Sequence, residues 1–289
     1  MSKKESPPGT IGGILARIFL SIVKTVFAIY VGLLAGVYFC QRYLEYLPIS
    51  DYAGTPKENG VAEMSIVTVK TPDNLSLIGW FGGPKHTDGK VVVVFHGNGS
   101  NLGPKASKAR YFLDKGYGVF LCEYRGFGGN PGSPTEEGVY NDARAVVRWL
   151  EEQGFPKSSI VLYGESLGTG IAVQMATEFE PFAVILEAPY SSAVSVAERR
   201  YPIFPVRLLM KDHFDSISKI NKFDLPLLIV HGDRDHIIPI SFSRDLFNAA
   251  NEPKKFMQID GAGHLDLYNF GAGKLIVDWL DAQVEGEKK

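Results

Sequence analysis

The sequence predicts an α/β protein: a mainly parallel, doubly wound sheet with a small cap, preceded by one long apolar helix. Three observations predict it. Short β-branched and apolar runs alternate with segments of helical periodicity from about residue 61 to residue 281, a pattern that packs helices on the faces of a parallel sheet. A glycine-flanked serine, Gly164-Glu165-Ser166-Leu167-Gly168, joins the apolar run Ile160 to Tyr163 to a helix-like stretch, Thr169 to Phe179. Thr25 to Gln41 is a run of 17 uncharged, largely apolar residues.

The elements follow in order. Residues 64–70 and 75–81 alternate as two antiparallel strands, with Pro72-Asp73-Asn74 at the turn. Val91 to Phe95 is continuously apolar, as a strand buried on both faces must be. A helix over about 104–115 leads to a strand over 118–123. Arg125 to Pro134 is a glycine-rich loop, and a helix over about 136–153 carries Ala143, Val146, Val147 and Leu150 at helical spacing. Strand 160–163, helix 168–179 and strand 183–187 come next. Between Pro189 and Pro226 the alternation stops, and Tyr201-Pro202-Ile203-Phe204-Pro205-Val206 is aromatic and broken by prolines. Residues 190–222 read as a small cap, whose apolar side chains line an acyl pocket or face a membrane, or as an excursion packed on the core. Leu227 to Val230 and Lys255 to Ile259 are two further short strands.

The serine segment has the form of a nucleophile elbow, a turn so sharp that a Cβ two residues either side of the serine collides with backbone. Glycine at 164 and 168 removes the collision and leaves Ser166 held out beside a helix N-terminus, which favours a developing anion. A serine hydroxyl needs a base, and the base needs an acid to orient it. The strand 227–230 ends in His231-Gly232-Asp233-Arg234-Asp235-His236, and the strand 255–259 ends in Asp260-Gly261-Ala262-Gly263-His264. Chain order and position favour Asp235 as the acid and His264 as the base. Asp233 is expected to brace its loop through backbone N–H groups. Of the other histidines, His96 and His231 precede glycines at strand ends and read as turn-stabilising, His86 and His213 as surface, and His236 as a weak rival base. The oxyanion donors expected are the N–H of Leu167 and, after His96-Gly97, the N–H of Asn98. All these residues fall at carboxyl ends of strands, where open α/β sheets bind ligands.

With these segments the chain resembles the α/β-hydrolase superfamily of serine hydrolases, from about Val61 to Asp281, and looks most like its small-lid, membrane-anchored abhydrolase-domain proteins. His96-Gly97-Asn98-Gly99, Glu123-Tyr124-Arg125-Gly126-Phe127-Gly128 with Gly132-Ser133-Pro134-Thr135-Glu136-Glu137-Gly138, and Gly164-Glu165-Ser166-Leu167-Gly168 carry the resemblance. It implies the α/β-hydrolase fold and an esterase, thioesterase or amidase that works through an acyl-enzyme without a cofactor or metal. The family usually has Asp where this chain has Glu123, and often Gly-His-Asn-Asp around the base, where His264 is followed by Leu265 and Asp266.

The net charge of −2 offers no footprint for nucleic acid. The two cysteines, Cys40 and Cys122, form neither a disulfide framework nor a metal pattern. The apolar character of residues 25–41 extends upstream through Ile18 to Val23, past Lys24, which can snorkel. A span of about 20 residues crosses the hydrocarbon, and Tyr30, Tyr38, Tyr43 and Tyr46 resemble aromatic anchoring, especially at the C-terminal end. The expected organisation is a tail over 1–17, a membrane-anchoring helix over 18–46, a linker over 47–60 and a hydrolase domain over 61–289. A cleaved signal peptide and a helix packed on the domain are the competing readings. Lys3, Lys4, Arg17 and Lys24 precede the span while Arg42 and Lys57 follow it, which keeps the N-terminus cytoplasmic and the hydrolase on the opposite side.

The leading expectation is a membrane-anchored serine hydrolase cleaving carboxylic esters or thioesters of a small molecule, lipid or acylated protein. A peptidase or amidase on the same triad and a non-catalytic membrane-associated interaction module are the alternatives.

Overall fold

The computed structural model describes residue 9, residues 11–86 and residues 89–287. It divides into two units, one ending at Glu45 and one starting at Tyr46. The first is a single helix, α1 (Ile11–Glu45), of 35 residues. Its most apolar window has a mean hydropathy of 2.2. At 1.5 Å per residue such a helix is about 50 Å long, against roughly 30 Å of hydrocarbon, so it is long and apolar enough to cross a membrane. It starts seven residues before the expected position 18. Nothing in residues 11–17 breaks a helix, and Gly12 and Gly13 each cost only about 1 kcal/mol. Lys3 and Lys4, which entered the orientation argument, lie outside the described residues.

The second unit is built on an eight-stranded sheet: β1 (Ser65–Lys70), β2 (Ser76–Gly82), β3 (Val91–Phe95), β4 (Gly118–Cys122), β5 (Ile160–Glu165), β6 (Ala183–Glu187), β7 (Leu227–Gly232) and β8 (Lys254–Ile259). Their spatial order is β1-β2-β4-β3-β5-β6-β7-β8. The β1–β2 and β2–β4 pairs are antiparallel and every pair beyond is parallel. The turn between β1 and β2 places Asn74 at φ 66°, a left-handed position that asparagine tolerates.

Side chains alternate across the sheet with the period of two that a strand imposes. Val91, Val93 and Phe95 of β3 enter one core, Val92 and Val94 the other. The first core is closed by α3 (Glu136–Glu152), α4 (Leu167–Phe179) and α7 (Ile240–Ala249), the second by α2 (Leu102–Asp114) and α8 (Ala272–Glu287). The sequence reading assigned no element to 240–249 or 272–287. The excursion after β6 holds two short helices, α5 (Ala193–Arg200) and α6 (Val206–Leu209). It does two things at once: Phe214 and Ile220 are buried in the first core, whereas Tyr201, Ile203 and Leu208 are exposed.

Residues 47–60 are not a free linker; they belong to the second unit. The unit begins on Tyr46, which is buried with its ring centroid 6.4 Å from that of Phe214. The Leu47 N–H donates to Asn98 Oδ1 at 2.8 Å, the Gly128 N–H to the Ile49 carbonyl at 2.8 Å, and Asn101 Nδ2 to the Asp51 carbonyl at 3.1 Å. A polar stretch without internal periodicity looks like a linker in sequence. Its backbone groups find partners only on the loops at the carboxyl ends of β3 and β4.

The loop after β4 is fixed by Arg125. Its Nε donates to Asp142 Oδ1 at 2.8 Å, its backbone N–H to Asp142 Oδ2 at 2.9 Å, and its remaining guanidinium nitrogens reach Asp73 at 2.7 and 3.0 Å. Asp142 is fully buried on α3, whereas Asp73 is 44 % exposed. Removing one partner of a buried pair strands the other charge, which costs about 3–5 kcal/mol. Asp142→Ala is therefore expected to lower the denaturant midpoint far more than Asp73→Ala, with an unchanged m-value. The bonds from Arg125 and Thr71 hold the Asp73 carboxyl at about 2, below its ordinary 3.8. A depressed folded-state value stabilises above the unfolded one, so this contribution is present above about pH 4 and is lost as pH falls towards 2. Asp73→Asn should flatten the pH dependence of the midpoint in that window.

Candidate active site

Strands β3, β5, β6, β7 and β8 run parallel and their carboxyl ends lie in register: Phe95 pairs with Gly164, Gly164 with Leu186, Glu187 with Val230, and Gly232 with Ile259. The loops leaving these ends therefore converge. At the end of β5 the chain turns abruptly into α4. Ser166 sits at φ 50°, ψ −114°, a backbone state that costs on the order of 1–3 kcal/mol and persists only when its surroundings enforce it. They do. The Ser166 N–H donates to the Glu187 carbonyl at 2.9 Å, and the Thr169 N–H and Oγ1 donate to the Ser166 carbonyl at 2.9 and 2.6 Å. A Cβ on Gly164 would stand 2.6 Å from the Thr169 Cα, and one on Gly168 would overlap the Phe95 carbonyl oxygen.

Ser166 Oγ lies 2.9 Å from His264 Nε2, and His264 Nδ1 lies 2.6 Å from Asp235 Oδ2. The other Asp235 oxygen accepts the Ile237 and Ile238 N–H groups, each at 2.8 Å, which fixes the carboxylate plane. Burial opposes ionisation of Asp235, but hydrogen bonds from His231 and His264, the His264 charge and the Ile238 N–H hold its carboxyl well below the usual range. An ionised Asp235 dictates that His264 Nδ1 carries a proton, leaving Nε2 free to accept one from Ser166. Asp233 is exposed and braces its loop by accepting the Gly261 N–H at 2.6 Å. His236, the rival base, is exposed.

The expected oxyanion donors flank the serine. Leu167 opens α4, so its N–H has no partner within the helix. Asn98 follows Gly97, and a Cβ on Gly97 would lie 3.2 Å from that of Ser166. The Asn98 side chain holds its own loop, accepting the Leu47 and Gly99 N–H groups at 2.8 and 3.1 Å. His96 is buried and bonds Glu123 Oε1 through Nε2 at 2.8 Å, while Glu123 Oε2 accepts the Leu102 N–H at 3.1 Å. Glutamate in place of the family's usual aspartate keeps a structural contact here. The longer side chain is accommodated because Gly128 has no Cβ, which would collide with the carboxylate.

Two features of the site escape a reading of the sequence. One is a buried charge network behind the elbow. Lys105 and Lys108 of α2 reach Glu165 at 2.7 and 2.6 Å, and Lys108 also bonds both oxygens of Glu187, at 2.8 and 2.7 Å. Tyr163 donates to Glu187 and lies 3.1 Å from the Tyr268 hydroxyl. Burial alone would lower the Lys108 ammonium, yet Glu187 and Glu165 hold it above its usual range; burial alone would raise the Glu165 carboxyl, yet Lys108 and Lys105 pull it far down. The one legible signal was Glu165 and Glu187 each ending an otherwise apolar strand. The other feature is His231, whose buried Nε2 faces the Ile238 carbonyl at 2.9 Å and Asp235 Oδ2 at 3.1 Å. Both are acceptors, so Nε2 carries a proton and His231 is a second donor to Asp235, beyond the turn-stabilising role its sequence position suggests.

Residues 86–211 match a family model described as serine aminopeptidase, S33. An uncharacterized protein of Mycobacterium tuberculosis is 36% identical over 252 residues, covering 86% of this chain and 88% of that protein. The human alpha/beta hydrolase domain-containing protein 17B is 33% identical over 192 residues, 63% of each chain. The chain belongs to the α/β-hydrolase superfamily. Solved structures agree on the fold of this α/β hydrolase. An esterase of Pyrococcus furiosus superposes with a TM-score of 0.68 at 18% identity, covering 83% of this chain and 97% of that one. The esterase domain of a Rhodothermus marinus protein gives 0.59 at 24% identity, over 75% and 97%.

In this α/β hydrolase Asp235→Asn is expected to cut turnover by up to about 10⁴-fold, because the amide can impose the wrong imidazole tautomer. Asp233→Asn should lower the thermal midpoint and leave turnover nearly intact. Turnover lost in the Asp233 variant and kept in the Asp235 variant, both folded, would reverse the two roles.

Proposed function

We propose that this chain is a membrane-anchored serine hydrolase that cleaves carboxylic esters or thioesters through an acyl-enzyme. The observation that carries the reading is the hydrogen-bonded chain from Ser166 through His264 to Asp235, at 2.9 and 2.6 Å. Ser166 Oγ attacks the substrate carbonyl as His264 Nε2 takes its proton. Asp235 stabilises the imidazolium, and the Leu167 and Asn98 N–H groups receive the tetrahedral oxyanion. Collapse expels the alcohol or thiol with the proton from His264. Water, deprotonated by the same histidine, then releases the acid and restores the serine.

The α1 helix supplies the anchor in this reading, with the N-terminus cytoplasmic and the hydrolase on the opposite side, as the excess of Lys and Arg before the span favours. A small-molecule, lipid or acylated-protein ester is the substrate class. The description of the matched family model favours a second reading, hydrolysis of an amide by the same residues. Parallel assays on p-nitrophenyl esters, acyl thioesters and aminoacyl p-nitroanilides separate the two.

A fluorophosphonate probe is expected to label wild type and not Ser166→Ala, and the folded variant should lose about 10⁶-fold in turnover. Labelling that survives the substitution removes Ser166 from the site. The full-length chain should stay with the membrane pellet in alkaline carbonate, since about 20 apolar residues suffice to span; release into the supernatant would discard the anchor.

A further inference from the structure

The reading of α1 as a membrane span leaves open what the hydrolase unit does at the bilayer surface. Three observations on that unit bear on it. The second unit begins on a buried residue, Tyr46, directly after Glu45 in the sequence. Tyr46 lies at the catalytic end, since it packs on Phe214 of the excursion after β6 and the Leu47 N–H bonds the side chain of Asn98.

The second observation is apolar exposure at that same end. In the excursion, Ile203 is 71% and Leu208 84% exposed, with Tyr201 beside them at 46%. On the loops that carry the acid and the base, Ile237 is 59% and Leu265 83% exposed. Single exposed apolar residues are ordinary. All five lie on segments that leave the carboxyl ends of β6, β7 and β8.

The third observation is charge. Residues 193–212 carry Arg199, Arg200, Arg207 and Lys211 against Glu198 and Asp212, a balance of 4 − 2 = +2 on a chain of net −2. Glu198 is engaged by Arg207 at 3.0 Å, and Asp212 is buried where it accepts the Glu136 N–H at 3.1 Å. Arg199 and Arg200 close α5 in exposed positions. Cations next to exposed aromatic and aliphatic side chains suit the headgroup layer of an anionic bilayer, with the apolar groups dipping below it.

We propose that the α5–α6 edge of the excursion is a docking face for an anionic lipid surface, which holds the mouth of the Ser166 site to the bilayer. The proposal rests on the membrane-span reading of α1 and deepens the function above: acyl groups resident in the membrane reach the serine without crossing bulk water.

The full-length chain in lipid nanodiscs tests it. In a Cys40→Ser background, which leaves only the buried Cys122, an environment-sensitive fluorophore is placed at Leu208→Cys or, as a control, at Glu152→Cys on the exposed end of α3 that precedes β5. The lipids are phosphatidylcholine with or without phosphatidylglycerol, plus a headgroup-proximal doxyl quencher. The label at 208 is expected to be quenched well beyond the label at 152, and more strongly with phosphatidylglycerol. Arg199→Glu with Arg200→Glu should shrink the docked population by about fivefold per cation lost, with hydrolysis of a soluble ester unchanged. Equal quenching at 208 and 152, or quenching indifferent to the double charge reversal, overturns the docking face. Carbonate extraction reads the span separately: a retained protein with an unquenched label condemns the docking face alone, and a released protein condemns both.

Discussion

The close approach of the first turn of α4 to the end of β3 is the constraint on which the rest of the structure depends. Gly168 lies so near the Phe95 carbonyl that no side chain fits between them. That contact sets the start of the helix against the carboxyl end of β3, and Ser166 sits at φ 50° in the turn just before it. It also brings the loop after β3 alongside, so that Gly97 abuts the serine and Asn98 follows immediately. A serine on an ordinary strand-to-helix connection would present its hydroxyl to neighbouring backbone instead of to the two loops that descend from β7 and β8.

Behind the elbow the protein buries four charges, Lys105, Lys108, Glu165 and Glu187, in mutual contact. Such a cluster is weak as a source of stability, because desolvation consumes most of its Coulomb attraction. Its value is geometric. Lys108 bonds carboxylates at the ends of two adjacent strands, β5 and β6, from a third element, α2. The residue before Ser166 is thereby fixed to the helix that follows the Asn98 loop. Asp235 is treated in the same manner on the opposite side, with two backbone N–H groups, His264 and His231 converging on one carboxylate. Each group that has to stay still is held by more bonds than its own element supplies.

The stretch from Tyr46 to Asp51 crosses the carboxyl ends of β3 and β4 and closes the Ser166 end of the sheet from the N-terminal side, while the excursion after β6 closes it from the other. Both are irregular, and both are kept in place by a few buried aromatic side chains: Tyr46, Phe214 and, under the loop after β4, Tyr124 and Phe127. Irregular backbone at the carboxyl ends of a parallel sheet is where shape varies without disturbing the core, and Tyr201, Ile203 and Leu208 lie exposed there.

The α/β architecture and the sharp turn at Ser166 were legible in the sequence, and the two residues it marked out as partners, Asp235 and His264, lie within hydrogen-bond reach of each other and, through His264, of Ser166. Each is encoded locally, by the alternation of β3, by glycines two residues either side of Ser166, and by strand-then-loop order in the last third. The same local logic read α1 as long and apolar. It failed where partners are distant in sequence. Residues 47–60 looked like a linker because their hydrogen-bond partners lie on other loops, at Asn98 and Gly128. The lysines of α2 carry no signal in the sequence because Glu165 and Glu187 lie 57 and 79 positions from Lys108 along the chain. His231 looked like a turn residue because only the folded β7 loop carries Asp235 back to its Nε2. Periodicity and steric exclusion act within a few residues and can be read off a sequence. The pairing of buried charges depends on which strand ends lie side by side, and only the tertiary structure decides that.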